Sequence, residues 1–138
     1  VVNLEKTNIR YLPQESAEQV DFISVDVSFI SLTQVLPAAK AFLKADGEIA
    51  ALIKPQFEAG KKALNKKGVV KDKKVHLEVV KSVLSFAESI GLYAKGLTYS
   101  PVRGPEGNIE YLALFTENAQ DKNNINAEAV VNESHSVL

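Results

Sequence analysis

The sequence contains no cysteine and no long apolar run. Without cysteine the chain can form neither disulfide bonds nor thiolate metal sites, which agrees with a reducing compartment. The longest uninterrupted apolar stretch is about five residues, far below the roughly twenty that a helix needs to cross a bilayer. No secretory signal opens the chain. We therefore expect a cytoplasmic protein without a membrane partner.

Methionine is also absent, and histidine occurs only as His76 and His135. These two lie far apart in the sequence without a partner at a ligand spacing, so we interpret both as surface or helix-face residues and expect no metal site. Because the chain starts at Val1 without any methionine, we expect it to be the later part of a longer protein. Its 138 residues and net charge of −1 are typical of one globular domain with a modest core.

A short apolar stretch over residues 48–53 lies between Gly47 and Pro55 and predicts a buried strand. Lys54 follows it directly, which places an ammonium group at the carboxyl end of that strand. In open α/β sheets, ligands bind at the carboxyl ends of the strands. The alternative is a lysine that only extends to water from a strand end.

A second strand, predicted over residues 21–26, also ends in a charged residue, Asp26. One crossover helix connects it to the strand that ends at Lys54. Right-handed crossovers place two such strands near each other with the same polarity. Asp26 and Lys54 should therefore lie at one rim of the sheet, within pairing distance, and form a candidate site.

The connecting helix has recognisable start and stop signals. Ser28 is the predicted N-cap, and Gly47 is the glycine expected just beyond the helix end. Pro37 falls inside the helix, so we expect it to kink the helix or to divide a short first turn from the rest.

Lysines concentrate in residues 61–74, an exposed loop interrupted by Asn65 and Gly68. Concentrated positive charge attracts phosphate groups even when the whole chain is nearly neutral. The alternative is a solvated connector. The candidate phosphate contacts are Lys61, Lys62, Lys66 and Lys67.

We predict a helix over residues 72–90 and strands over residues 92–99 and 109–117. A short loop without a helix joins these two strands, so they must pair antiparallel. The predicted fold class is α/β, with a mostly parallel sheet and a C-terminal antiparallel hairpin. Because the last strand runs backwards, Glu110 at its start should reach the rim that carries the aspartate and the lysine.

The polar tail, residues 118–138, has apolar residues at helical spacing, namely Ile125, Ala129, Val130 and Val137. This spacing predicts a short amphipathic helix, and a frayed end is the alternative.

Three motifs, in order, resemble those of the TlyA, or hemolysin A, family: Asp26-Val27-Ser28-Phe29-Ile30-Ser31-Leu32, Lys54-Pro55-Gln56-Phe57-Glu58-Ala59-Gly60 and Gly104-Pro105-Glu106-Gly107-Asn108-Ile109-Glu110-Tyr111. This family belongs with the FtsJ-like methyltransferases, which use S-adenosylmethionine, and its members methylate ribose 2′-hydroxyls of ribosomal RNA. The resemblance implies that residues 1–117 are the C-terminal part of a Rossmann-like methyltransferase domain. It also implies S-adenosylmethionine as cofactor and ribosomal RNA as partner. A membrane-lytic activity is not expected, because the chain has no long apolar segment.

By the same resemblance, Asp26, Lys54 and Glu110 are three members of a Lys-Asp-Lys-Glu catalytic tetrad. The first lysine of the tetrad would lie upstream of Val1, and the glycine-rich cofactor loop has no counterpart in the sequence. Residues near the adenine of the cofactor would be Thr7, Asn8 and Ile9.

A ribose hydroxyl must lose its proton as it attacks the sulfonium methyl group. We predict that Lys54 is either the proton acceptor or the main orienting group, with Asp26 and Glu110 orienting the ammonium and the hydroxyl.

In the family's strand order, 3-2-1-4-5-7-6, two strands separate residues 1–4 from residues 21–26. We therefore expect residues 1–4 to have no neighbour, and the next strand to keep an unpaired edge that promotes self-association. We also expect the isolated chain to be inactive. The alternative function is a non-catalytic RNA-binding or self-associating α/β module.

Overall fold

The computed structural model describes residues 2–3, 19–60, 69–104 and 107–138. These residues form one five-stranded sheet and four α-helices, with strand order β1-β2-β3-β5-β4. The strands are β1 Val2–Asn3, β2 Val20–Val25, β3 Leu43–Ile53, β4 Tyr93–Tyr99 and β5 Tyr111–Thr116. The helices are α1 Leu32–Ala41, α2 Pro55–Glu58, α3 Lys73–Ser89 and α4 Ala127–Val137, and a 3-10 turn covers Ala119–Asp121.

The strand directions confirm the predicted fold class. β2 runs parallel to β1 and β3, whereas β5 runs antiparallel to both of its neighbours, β3 and β4. Four of the five strands in the described sheet therefore point the same way, and the hairpin is antiparallel. Ile53 pairs with Tyr111, so the residue that follows β3 and the residue that precedes β5 meet at one rim.

The prediction that residues 1–4 have no neighbour is wrong for Val2 and Asn3. β1 pairs in parallel with β2, with Val2 opposite Ile23 and Asn3 opposite Ser24. An exposed strand edge presents unpaired backbone N–H and C=O groups, and a short extended segment satisfies them. The edge of β2 is therefore covered at these two positions.

Helix α1 differs from its prediction at both ends. Ser31, rather than Ser28, is the N-cap, and its hydroxyl accepts a hydrogen bond from the Thr33 N–H at 3.1 Å. The helix is not divided at Pro37, which lies within Leu32–Ala41. Its C-cap is Phe42, and the chain enters β3 at the next residue.

Gly47 does not end the helix but lies inside β3. A Cβ atom at this position would be 2.5 Å from Leu43 Cδ1 and 3.0 Å from the Asp21 backbone oxygen. The register of β2 and β3 shifts here, from Val20 opposite Leu43 to Phe22 opposite Glu48. Glycine is therefore needed for close packing at an irregular strand pairing, and the prediction of a post-helical glycine is wrong.

The core lies between the helices and one face of the sheet. Alternate residues of the central strands are buried: Ile23 and Val25 of β2, Ile49, Ala51 and Ile53 of β3, and Tyr111, Ala113 and Phe115 of β5. Helix α3 covers them with a stripe at helical spacing, formed by His76, Val79, Val80, Val83 and Ala87. This alternation explains why short apolar runs in the sequence identified the strands.

The tail forms the predicted helix, α4, which packs against α3 and β4. Its buried residues are Ala127, Val131 and Ser134, whereas Val137 is 63% exposed. The helix was predicted correctly but its buried face was not, because a polar residue, Ser134, belongs to that face.

Among the described residues, no helix is both long and apolar enough to cross a membrane.

Candidate active site

Two of the three predicted rim residues form a direct ion pair. Lys54 follows β3 and Asp26 follows β2, and Lys54 Nζ lies 2.5 Å from Asp26 Oδ1. The lysine side chain is only 11% exposed, whereas that of Asp26 is 40% exposed. Lys54 Nζ also donates a hydrogen bond to Ser28 Oγ at 3.3 Å. The predicted proximity of the two charges is therefore observed, and the lysine is held rather than free in water.

Glu110 precedes β5 and is buried at the same rim. Its Oε2 atom has no hydrogen-bond partner among the described residues. Burial raises the pKa of Glu110 above its ordinary value, while the charge of Lys54 opposes this rise and that of Asp26 adds to it. The influence of both charges on Glu110 indicates that the three side chains share one electrostatic site.

A tight loop closes over Glu110. A Cβ atom on Gly104 would be 2.5 Å from Glu110 Oε2, so only glycine allows the backbone to approach this carboxyl group so closely. Gly104 N–H donates to Asn108 O at 2.7 Å, and Ser100 N–H donates to Glu110 O at 2.8 Å. Gly107 has φ +87°, a conformation that favours glycine. The loop therefore fixes Glu110 and shields it from water.

The first two motifs of the sequence are joined by Glu58 of α2. Its carboxylate accepts hydrogen bonds from Ser31 Oγ at 2.6 Å and from the Leu32 N–H at 2.8 Å. Burial raises the pKa of Glu58, although both hydrogen bonds oppose this rise. A carboxylate at a helix N-terminus is also favoured by the helix dipole. Glu58 therefore fixes the segment after Asp26 to the segment after Lys54.

An exposed aromatic ring stands beside the ion pair. Phe29 follows Ser28, is 90% exposed, and has φ +66°. This left-handed conformation is unfavourable for a bulky residue and is often found at functional sites. Its ring lies 4.9 Å from that of Phe57, centroid to centroid. The sequence contained Phe29 within a motif, but nothing in it signalled the positive φ or the exposure.

The two histidines are not separate surface residues. His76 is 1% exposed, and its Nδ1 lies 2.8 Å from His135 Nε2. Of the two alternatives, His76 is a helix-face residue and not a surface residue, because the stripe of α3 that faces the core includes it. No group of three or more potential ligands among His, Cys, Asp and Glu occurs in the described ranges.

The remaining predicted site residues lie outside the described residues. These are the cofactor candidates Thr7, Asn8 and Ile9 and the phosphate-binding candidates Lys61, Lys62, Lys66 and Lys67. Their roles stay predictions.

A lysine and an aspartate are thus paired at the carboxyl ends of two parallel strands, beside a buried glutamate, on a sheet that ends in an antiparallel hairpin. This combination is the one expected of an FtsJ-like methyltransferase. The sequence model of the FtsJ-like methyltransferase family matches residues 1–116. The chain belongs to this family.

Relatives and a solved structure are consistent with this membership. The chain is 46% identical over 114 residues to YqxC of Bacillus subtilis, proposed to be an rRNA methyltransferase, covering 81% of this chain and 41% of that protein. It is 43% identical over 112 residues to the 16S/23S rRNA (cytidine-2′-O)-methyltransferase TlyA of Mycobacterium tuberculosis, covering 80% of this chain and 42% of that protein. A Streptococcus thermophilus protein, proposed to be a hemolysin, has a similar structure, with a TM-score of 0.88 and 37% identity over 96% of this chain and 49% of that one. The chain spans about two fifths of the length of these curated relatives.

Proposed function

We propose that this chain carries the part of an rRNA ribose 2′-O-methyltransferase site that receives the ribose hydroxyl, which is the methyl acceptor. We also propose that the enzyme acts in the cytoplasm. The observation that carries the proposal is the Lys54–Asp26 ion pair, 2.5 Å long and largely buried on the lysine side, next to the buried carboxyl group of Glu110. The name of the Mycobacterium tuberculosis relative, an rRNA cytidine-2′-O-methyltransferase, supports ribosomal RNA as the substrate.

The geometry favours the orienting role for Lys54 over the role of proton acceptor. A carboxylate at 2.5 Å stabilises the charged ammonium. Two of its three N–H groups are directed to Asp26 and Ser28, and the third remains for the ribose oxygen. A fixed ammonium aimed at that oxygen stabilises the negative charge that develops as the proton leaves.

We assign the proton-accepting role to Glu110. Burial raises its pKa, and a carboxylate with a raised pKa is a better general base. Its Oε2 atom is buried and accepts no hydrogen bond among the described residues, so no other donor competes with a proton taken up there.

S-adenosylmethionine is the cofactor that FtsJ-like methyltransferases generally use, and it supplies an electrophilic methyl group. The rim suits its positive sulfonium, because the carboxylate of Asp26 remains 40% exposed beside the lysine. The residues for the rest of the cofactor are not identified among the described residues, and no G-x-G-x-x-G run occurs in the sequence.

The test is replacement of Lys54 by alanine in the intact enzyme. We expect methyl transfer to ribosomal RNA to fall by about 100-fold or more, as when a single preorganised donor is removed from an active site, with little change in cofactor affinity. The incorporation of a tritiated methyl group into ribosomal RNA measures methyl transfer, and isothermal titration calorimetry measures the cofactor affinity.

The matched control is Lys95→Ala, which breaks another ion pair of the sheet, 2.7 Å to Glu48, away from the rim. Its methyl transfer should match the wild type. Wild-type turnover by Lys54→Ala would refute the assignment. RNA binding by the wild-type enzyme without any methyl transfer would instead favour the non-catalytic RNA-binding module.

A further inference from the structure

A cluster of buried polar side chains behind the rim has no role in the chemistry proposed above. It joins His76 of α3, His135 and Ser134 of α4, and Tyr111 of β5. Tyr111 Oη lies 3.1 Å from His76 Nδ1 and 2.9 Å from Ser134 Oγ, and His135 Nε2 lies 2.8 Å from His76 Nδ1. Tyr111 and Ser134 are fully buried. Polar groups in such a position need satisfied hydrogen bonds, and together they favour one arrangement of the elements that carry them.

The hydrogen bonds of the cluster have a defined direction. His76 Nε2 lies 2.8 Å from the Val70 backbone oxygen, which can only accept, so the proton of a neutral His76 is on Nε2. His76 Nδ1 then accepts from the Nε2–H of His135. Ser134 donates to the Val131 backbone oxygen at 2.7 Å, so Ser134 Oγ accepts from Tyr111. When both histidines are neutral, these four protons serve four of the five contacts, and the 3.1 Å approach of Tyr111 Oη to His76 Nδ1 carries none.

This cluster lies directly beside Glu110. Tyr111 is the next residue in the chain. Ile109, on the other side of Glu110, lines a cleft of about 280 Å³ together with both histidines. Helix α4 also reaches the loop over Glu110, since Arg103 donates to the Leu138 backbone oxygen and to Gly107 O. The residues on both sides of Glu110 are therefore held by contacts that involve α4.

We propose that His76, His135, Ser134 and Tyr111, here called the polar clamp, are positioning residues that hold Glu110 at the rim by fixing helix α4 against the start of β5. The clamp deepens the proposed function, since it rests on the assignment of Glu110 to the methyl-transfer site. The clamp residues do not contact the reacting groups, and they act through the backbone next to Glu110.

Burial and nearby positive charges favour the neutral form of the clamp histidines. Burial lowers the pKa of both histidines. The positive charges of Lys73 and Arg103 lower the pKa of His135 further, while Asp72 opposes the change at both histidines. Lys71 also lines the cleft. A proton added to His76 Nδ1 would remove the acceptor for the Nε2–H of His135, so protonation would require the hydrogen bonds of the clamp to rearrange.

The test uses two clamp variants, Ser134→Ala and His135→Leu, and reads out the pKa of Glu110 by carbon-13 NMR. A loosened start of β5 exposes Glu110 to water, so we expect its raised pKa to fall toward the ordinary value in both variants. In the intact enzyme, the same variants should lose methyl transfer on the order of tenfold, since small displacements of catalytic groups have large effects. Affinity for RNA should be unchanged.

Two matched variants separate positioning from a general loss of structure. His135→Gln keeps an N–H donor toward His76 and should restore both the Glu110 pKa and the activity. Ser136→Ala removes an exposed hydroxyl of the same helix that bonds only locally, to Glu133 O, and should behave as wild type. Circular dichroism shows whether each variant is folded.

An unchanged Glu110 pKa in folded Ser134→Ala would overturn the proposal, and so would failure of His135→Gln to restore what His135→Leu loses. If His135→Leu does not fold, the Glu110 pKa in Ser134→Ala alone tests the proposal, because this variant removes only one hydroxyl. The NMR measurement needs no turnover, so it tests the clamp even if Lys54→Ala shows the proposed function to be wrong.

Discussion

Single residues at the rim are held in states that they would not adopt in water. Lys54 is nearly buried and bound to Asp26, Glu110 is buried with a raised pKa, and Phe29 keeps an exposed ring on a left-handed backbone. Burying a charged side chain costs free energy, and so does holding a bulky residue at a positive φ. Their concentration within two short segments and one loop supports the proposal that this rim carries the methyl-transfer chemistry.

At the scale of one residue, Phe29→Ala tests whether the exposed ring contacts a base of the RNA. Base stacking on an aromatic ring contributes about 1–3 kcal/mol, so we expect RNA affinity to weaken on the order of tenfold. Folding should not suffer, because the ring is 90% exposed. Fluorescence anisotropy with a ribosomal RNA fragment measures the affinity.

The control for this substitution is Val102→Ala, which removes another exposed apolar side chain, 71% exposed. Phe29→Tyr retains a stacking surface and should bind as the wild type does. Equal RNA affinity for Phe29→Ala and the wild type would exclude a base contact.

At the scale of elements, short helices and loops align the rim. α2 is a single turn that begins at Pro55, a favourable first helical residue, and it directs Glu58 to the start of α1. The loop between β4 and β5 places Gly104 against Glu110. Strands β2, β3 and β5 supply the positions of the charges, but these connecting elements supply their orientation.

The substitution Glu58→Ala tests the link between α2 and α1. It removes two hydrogen bonds, at 2.6 and 2.8 Å, of the charge-assisted kind that contribute about 1.5–3 kcal/mol each, and the Leu32 N–H loses its partner. Because the substitution also relieves the cost of burying the Glu58 charge, we expect the free energy of unfolding to fall by only about 1–3 kcal/mol, as measured by urea denaturation.

A matched substitution is Glu88→Ala, which removes the exposed ion pair with Lys122. Exposed pairs contribute little, so stability should be nearly unchanged. An equal loss for both variants would mean that Glu58 is an ordinary surface residue.

At the scale of the whole molecule, α4 connects the tail to the domain and brings two histidines together. Residues 118–138 therefore pack on the methyltransferase sheet through α3 and β4. At the outer edge of the sheet, the backbone N–H of Asn123 donates a hydrogen bond to the backbone oxygen of Ala94 in β4 at 3.1 Å. β1 covers part of the opposite edge. Self-association through a sheet edge stays a prediction, and light scattering of the purified chain would test it.

The stability of the whole chain should depend on pH through the clamp histidines. Their folded pKa values lie below the ordinary value of 6.5. As the pH falls below this value, the unfolded chain takes up protons before the folded chain does. The stabilisation is therefore complete above pH 6.5 and is lost as the pH falls through the lowered folded values.

Glu58 and Glu110 act in the opposite sense, because their pKa values are raised, so acidification relieves the cost of burying their charges.

The contribution of His135 to this pH dependence is isolated by comparing wild type and His135→Gln in urea denaturation at about pH 7.5 and 5.5. We expect the variant to lose less stability between the two values. Equal losses would mean that His135 is not part of a proton-sensitive contact.

The sequence alone identified strands β2 to β5, helices α1, α3 and α4, and the rim residues. Alternating apolar residues fix which side chains a strand buries, and strand polarity fixes which ends carry Asp26, Lys54 and Glu110. These are local properties, since they depend on neighbours in the chain. The family resemblance rested on the same short motifs.

Only the tertiary structure decided which distant groups meet. The choice of Ser31 over Ser28 as helix cap depends on Glu58, 27 residues away from Ser31. The meeting of His76 and His135 depends on how α4 packs, across 59 residues, and Gly47 is required by the Leu43 side chain and the Asp21 backbone. Such contacts are selected by burial and hydrogen bonding in three dimensions, which no local pattern records. Among the described residues, the buried polar cluster is built from histidine, tyrosine and serine of three different elements.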